Sequence, residues 1–198
     1  MVLAIIDQND FETVSTLRSG RLVQDRRDGT RAVLKPAAAF VDPAVAEFLA
    51  QAWHPGIPRC LGQTVADTGD TLFVFEYIEG LPLTALIESH PEGIEATRWL
   101  PWMTQWAQIL AYLHLQGEYP LAHLDVKPAN LIVDRQGRAG LIDFDAARIL
   151  DSRSSPAARD GKKALTASYA APELVAGQPC PGSDLFALGL VMLVLLTG

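Results

Sequence analysis

The sequence predicts an α+β fold in two lobes: a small sheet carrying one helix, then a mainly helical half. Three observations predict it. The first 77 residues hold short apolar runs separated by turn dipeptides, with room for a single helix among them. From Leu83 onward, apolar residues recur at steps of three and four instead. With 198 residues, 49% of them hydrophobic, the chain can bury one sizeable core or two small ones.

Each element follows from a local pattern. Phe11 to Leu17 alternates as a first strand. Arg21 to Arg26 and Thr30 to Lys35 form a hairpin around Asp28-Gly29, a strong turn dipeptide. Asp42-Pro43 supplies an N-cap and a first-turn proline for a helix running to about Trp53, where His54-Pro55-Gly56-Ile57-Pro58 stops it. Two more strands, Cys60 to Ala66 and Leu72 to Glu76, flank the turn-rich Asp67-Thr68-Gly69-Asp70. The character changes at Tyr77-Ile78-Glu79-Gly80, which sets the lobe boundary near Ile78. Leu83 to Ser89 reads as a short helix. Thr97 to Gln116 carries Trp99, Met103, Trp106, Leu110 and Leu113 on one face, an amphipathic helix whose tryptophans belong to the core. Leu185 to Leu196 is apolar on all sides, which marks a core helix. It is too short to cross a bilayer, which needs about 20 residues. There is no internal repeat and no low-complexity linker.

Composition narrows the classes of function. A net charge of -7 without a lysine or arginine block argues against nucleic acid as a partner. The two cysteines, Cys60 and Cys180, make neither a disulfide framework nor a metal spacing, and read as small buried or half-buried residues in a reducing compartment. Met1 to Asp10 has no basic region and no small-residue cleavage site, so no secretion signal is expected and the expected location is cytoplasmic.

The chemistry concentrates in His123-Leu124-Asp125-Val126-Lys127-Pro128-Ala129-Asn130, followed by Asp143-Phe144-Asp145. Phosphoryl transfer needs few parts: an acid to orient the attacking hydroxyl, a cation to neutralise the moving group, and oxygen ligands for magnesium. Asp125, Lys127, Asn130 and Asp143 supply one of each, with a second metal ligand. Taken singly, each has a plain structural reading, such as a turn aspartate or a solvated lysine before a proline.

Together these residues resemble the catalytic loop of protein kinases, H-R-D-x-K-x-x-N, and the D-F-G element that follows it. Ala171-Pro172-Glu173 is similar to the A-P-E element, Asp184-Leu185-Phe186-Ala187-Leu188-Gly189 to D-x-W-S-x-G, and Ala32-Val33-Leu34-Lys35 to V-A-I-K. Five such pieces in order are far more specific than any one alone. The resemblance covers nearly the whole chain and is to the bacterial serine/threonine kinases of eukaryotic type above all. It implies a protein kinase-like bilobal fold over residues 1–198, with an N-lobe at 1–77, a hinge at 76–82 and a partial C-lobe at 83–198.

The resemblance also implies roles. Asp125 would accept or orient the substrate hydroxyl proton, Lys127 would reach the γ-phosphate of ATP, and Asn130 and Asp143 would hold Mg2+. Thr166 matches the threonine that bonds the catalytic aspartate and lysine in serine/threonine-specific members. Lys35 would anchor the α- and β-phosphates, with Gly20 in the phosphate-covering loop. Leu22, Val33 and Ile132 would sandwich adenine, Phe75 would close the back of the pocket, and the backbone of Glu76 and Ile78 would bond its edge. Asp184 would accept backbone N–H bonds from around His123.

Four departures stand against the pattern. Leu17-Arg18-Ser19-Gly20-Arg21 keeps one glycine of G-x-G-x-x-G, which predicts a weaker nucleotide grip. The helix glutamate that usually pairs with the lysine falls near Val45. Glu47, the nearest acid, lies about 200° round the helix from Val45, so its pairing with Lys35 is left open. Leu124 replaces the arginine that meets a phosphorylated activation loop, which argues against activation through Ser152, Ser154 or Ser155. Asp145 stands where glycine is usual; aspartate tolerates left-handed backbone, so the turn is expected to survive.

Relatives of this kind continue past the central helix, so Leu185 to Leu196 is expected to need a further chain or a partner over its apolar surface. Three functions fit: a serine/threonine protein kinase using ATP and magnesium; a catalytically weak pseudokinase or nucleotide-binding scaffold; and a small-molecule phosphotransferase of the aminoglycoside or choline kinase type. The first is favoured by Ala171-Pro172-Glu173 and Thr166, which mark protein-substrate enzymes.

Overall fold

The computed structural model describes residues 3–151 and 168–197. Thr166, Ser152, Ser154 and Ser155 lie outside the described residues. Strands β1 (Phe11–Leu17), β2 (Gly20–Asp25), β3 (Arg31–Pro36), β4 (Cys60–Val65) and β5 (Thr71–Glu76) form one antiparallel sheet in the order β1-β2-β3-β5-β4. Helix α1 (Ala44–Gln51) is its one α-helix, and it ends two residues before the Trp53 that the sequence suggests. Asp42 still organises its start, accepting from the Ala44 amide through one carboxylate oxygen.

Side-chain alternation divides this sheet into two faces. Val23, Ala32, Leu34, Leu72 and Val74 pack into a small cluster on one face. The alternate residues Val33, Phe73 and Phe75 face the main core on the other, where Phe40 stacks on Phe75 at 5.6 Å. Lys35, two residues after Val33 and in register with Phe73, takes the same inner face.

The helical half opens with β6 (Leu81–Pro82) and α2 (Leu83–Glu88), and continues into α3 (Ala96–Leu115). The buried stripe of α3 is Trp99, Trp102, Trp106, Ile109, Leu110 and Leu113, with Met103 only partly covered. Two of its tryptophans also satisfy buried carbonyls: Trp99 Nε1 donates to Ile94 and Trp106 Nε1 to Gly140. Four short strands follow: β7 (Leu121–Ala122), β8 (Leu131–Val133), β9 (Ala139–Leu141) and β10 (Arg148–Ile149). They pair as β6-β8-β9 and β10-β7. With two or three residues each, they carry no readable period, so the sequence pattern alone does not reveal them.

The chain ends its described course with α4 (Pro172–Val175) and α5 (Pro181–Thr197). α5 buries Ala187, Leu188, Val191 and Leu195 against the core. Its opposite face leaves Leu185, Phe186, Met192, Leu193 and Leu196 exposed, so the helix expected to be apolar all round is half covered. Among the described residues no helix is long and apolar enough to cross a membrane.

Candidate active site

The β8–β9 hairpin builds the site. Its pairing of Leu131 with Leu141 places Asn130 just before one strand and Asp143 just after the other. The Ile142 amide then donates to the Asn130 carbonyl at 3.0 Å, which closes the open end of the hairpin. Two residues separated by thirteen positions in sequence thus become neighbours through a few ladder bonds.

The loop before β8 is fixed from below by Asp184, which α5 carries into the core. Its carboxylate is 1% exposed and accepts from the His123 amide (2.8 Å), the Leu124 amide (2.7 Å) and the His114 ring (2.9 Å). This is the bonding expected from the sequence. Leu124 is held there with φ 61°, a left-handed conformation that costs free energy for a non-glycine residue. His123 is fully buried. Its Nε2 lies 3.0 Å from the Ile142 carbonyl, and its Nδ1 accepts from the Asp125 amide at 3.3 Å. Burial lowers its pKa and favours the neutral ring, which matches one donor and one acceptor nitrogen. Phe144 packs edge-on against it at 4.7 Å.

At the upper end of this loop, Asp125 Oδ2 accepts from Lys127 Nζ at 2.6 Å and from Asn130 Nδ2 at 3.0 Å. Asn130 Nδ2 also donates to the Asp125 carbonyl. With its NH2 so occupied, the Asn130 side chain has its amide oxygen to offer a cation. Asp143, at φ 67° and ψ 67°, turns the chain out of β9 into the short 3-10 turn Phe144–Ala146. Left-handed backbone therefore falls on Asp143, and Asp145 does not need it, contrary to the expectation for the glycine position.

Lys35 reaches this turn from the sheet. Its Nζ lies 2.5 Å from Asp143 Oδ1 and 2.8 Å from Asp145 Oδ1, with 11% of the side chain exposed. Glu47 stands on the exposed side of α1, so the lysine's partners are the two aspartates and not the helix acid. Burial pushes the Asp143 carboxyl upward, but the Lys35 ammonium, a side-chain hydrogen bond with Asp145 and the nearby His123 together hold the group below its ordinary value. Asn130 and Asp143 offer hard oxygen donors from the two strands at the open end of one hairpin, a donor set that suits magnesium.

The remaining predicted residues divide into two groups. Leu22 pairs with Val33 and Val33 with Phe75, so these three form one row across the inner face of the sheet. Ile132 pairs with Gly140, and a Cβ on Gly140 would meet Ile78 at 2.8 Å, so Ile78 and Ile132 meet over that glycine. Phe75 is buried in the aromatic cluster with Phe40 and Phe73. The Glu76 amide already donates to the Arg59 carbonyl at 2.9 Å, which takes that N–H away from any ligand edge. Gly20 follows a two-residue turn at the start of β2. A Cβ there would lie 2.3 Å from the Leu34 carbonyl oxygen and 3.2 Å from Lys35 Cγ. Sheet packing beside Lys35 is thus sufficient reason for this glycine, whatever it does for phosphate.

Nothing in the sequence pairs Asp145 with Lys35: the two are 110 positions apart, and only the folded turn brings them together.

The protein kinase domain family matches residues 45–198, from α1 to the end of α5, and so includes Asp125, Lys127, Asn130, Asp143 and Asp184 but not β1 to β3. A serine/threonine-protein kinase F from Synechocystis is 35% identical over 127 residues, 63% of this chain and 25% of the relative. The serine/threonine-protein kinase PknB of Mycolicibacterium smegmatis is 30% identical over 150 residues, covering 73% of this chain and 23% of its own length. The PKH3 kinase of Eremothecium gossypii is 34% identical over 158 residues, 76% of this chain and 21% of the relative. The chain therefore spans a quarter or less of the length of the curated relatives it matches. With a family match over more than half of its residues, the chain belongs to the protein kinase domain family.

Proposed function

We propose that this chain transfers the γ-phosphoryl group of ATP to a serine or threonine hydroxyl of a protein. The observation that carries the reading is the clustering of Asp125, Lys127 and Asn130 by direct hydrogen bonds, at the open end of the hairpin, where the second strand presents Asp143. Asp125 orients the hydroxyl and takes its proton as the new oxygen–phosphorus bond forms. The bond to the β-phosphate oxygen breaks and ADP leaves. Lys127 shifts its ammonium from Asp125 toward the moving phosphoryl group. Asn130 and Asp143 would hold Mg2+, which when bound neutralises phosphate charge. Lys35 anchors the α- and β-phosphates. Leu22, Val33 and Ile132 flank adenine, with residues 76–82 as the hinge between an N-lobe at 1–77 and a C-lobe at 83–198. The names of the relatives support a serine or threonine acceptor.

The test is label transfer from radioactive ATP with magnesium to a generic serine/threonine substrate, comparing wild type with Asp125→Ala and Asp143→Asn. Transfer in wild type and its loss in both variants is the expected result. The two-residue turn with a single glycine favours a second reading, a nucleotide-binding scaffold. Nucleotide binding without transfer would select it.

A further inference from the structure

We propose that Asp145 is the positioning residue for Lys35, doing from the metal-binding turn what a helix carboxylate would otherwise do. The inference rests on the phosphotransfer reading above.

α1 has no acid facing the sheet. Val45, Ala46 and Leu49 are its buried residues, and Glu47 is exposed. A phosphate-anchoring ammonium at 11% exposure still needs a fixed counter-charge, because an unpaired buried cation is strongly disfavoured. Asp145 provides it, being 3% exposed with Oδ1 at 2.8 Å from Lys35 Nζ. Its own position is set by backbone bonds. The Asp145 carbonyl accepts from the Val41 amide at 2.9 Å, and Asp42, one residue on, accepts from the Ile149 amide at 3.0 Å. The turn is thereby tied, at Asp145 and again at Ile149, to the segment that leads into α1.

Two carboxylates on one ammonium answer a specific demand. Asp143 would serve both Lys35 and a bound magnesium. With Asp143 committed to the metal, Asp145 would still give Lys35 a carboxylate. The lysine is then held by the same short turn that carries the metal ligand, so lysine and metal are placed together.

The experiment measures binding of a fluorescent ATP analogue with magnesium, together with turnover and melting temperature, for wild type, Asp145→Asn, Asp145→Gly and Asp145→Glu. Losing one charge-assisted hydrogen bond should weaken nucleotide affinity by about tenfold or more in the Asn and Gly variants. Asp145→Glu should keep most of it, and Lys35→Ala should lose at least as much as the Asn variant does, since Asp145 acts through that lysine. Affinity at the wild-type level in folded Asp145→Asn or Asp145→Gly overturns the proposal. So does an equal loss in all three variants that tracks their melting temperatures, which would mark a purely structural residue. A wild-type chain that binds no nucleotide, with or without magnesium, removes the phosphotransfer reading itself and this inference with it.

Discussion

Asp184→Asn probes how the catalytic loop keeps its shape. In the wild-type protein one buried carboxylate serves two backbone amides and the His114 ring at 2.7–2.9 Å. An asparagine can still accept one amide through its oxygen. Its NH2 then faces the other amide, donor against donor, and leaves that N–H unsatisfied. An orphaned buried donor costs about 1–3 kcal/mol, and losing the charge on the surviving bond adds roughly 1 kcal/mol. The sum is about 3 kcal/mol, a large part of a typical stability of about 5–15 kcal/mol. For a chain of this size that is a fall in melting temperature of roughly 6–12 °C. Its four tryptophans make fluorescence a suitable probe, with circular dichroism as a check on cooperativity. If the NH2 takes the place of Oδ1, the Leu124 amide loses its acceptor, and Leu124 should relax from its left-handed conformation. A destabilisation below about 0.5 kcal/mol, the range of ordinary surface substitutions, would refute the reasoning. Asp184 would then be a tolerated acid and not the clamp of the loop.

Three further outcomes are expected. Gly20→Ala should lower stability by about 1–3 kcal/mol in urea unfolding, because its Cβ meets a backbone carbonyl at 2.3 Å and not a movable side chain; a neutral result would mean that β2 shifts freely. Burial depresses the His123 pKa below its unfolded value of 6.5, so the unfolded chain binds more protons as pH falls through that value, and stability present at pH 7 should drain away on acidification. Melting temperatures from pH 7.5 to 5.5 should fall for wild type and fall less for His123→Gln, the remainder coming from His54, whose pKa burial also lowers; equal slopes would contradict this. Cys60 is buried with its thiol pushed up to about 11, whereas Cys180 is exposed, so one thiol should react with a disulfide reagent at pH 8 in the native protein and two in urea.

Much of the fold was legible because its signals are local. β1 is found where alternation places it, β2 and β3 flank the Asp28-Gly29 turn, and the stripe of α3 appears at its helical spacing. The pairs β6-β8-β9 and β10-β7 were not legible, since strands this short have no period and are stable only through their partners. The loop residues proposed for catalysis were legible for the same local reason. Asp125, Lys127 and Asn130 fall within six positions, and one short hairpin brings Asp143 beside them.

By itself, the sequence determined which side chains could do this chemistry and which segments would be strand or helix, because both are written in spacing over a few residues. Only the tertiary structure decided which charges meet. Lys35 is 108 and 110 positions from Asp143 and Asp145, and only 12 from Glu47, yet it pairs with the distant two. Helical phase turns Glu47 toward solvent, while the antiparallel sheet and the turn after β9 bring the other three groups inward. An ion pair forms where burial and backbone direction bring opposite charges together, and neither can be read from distance along the chain.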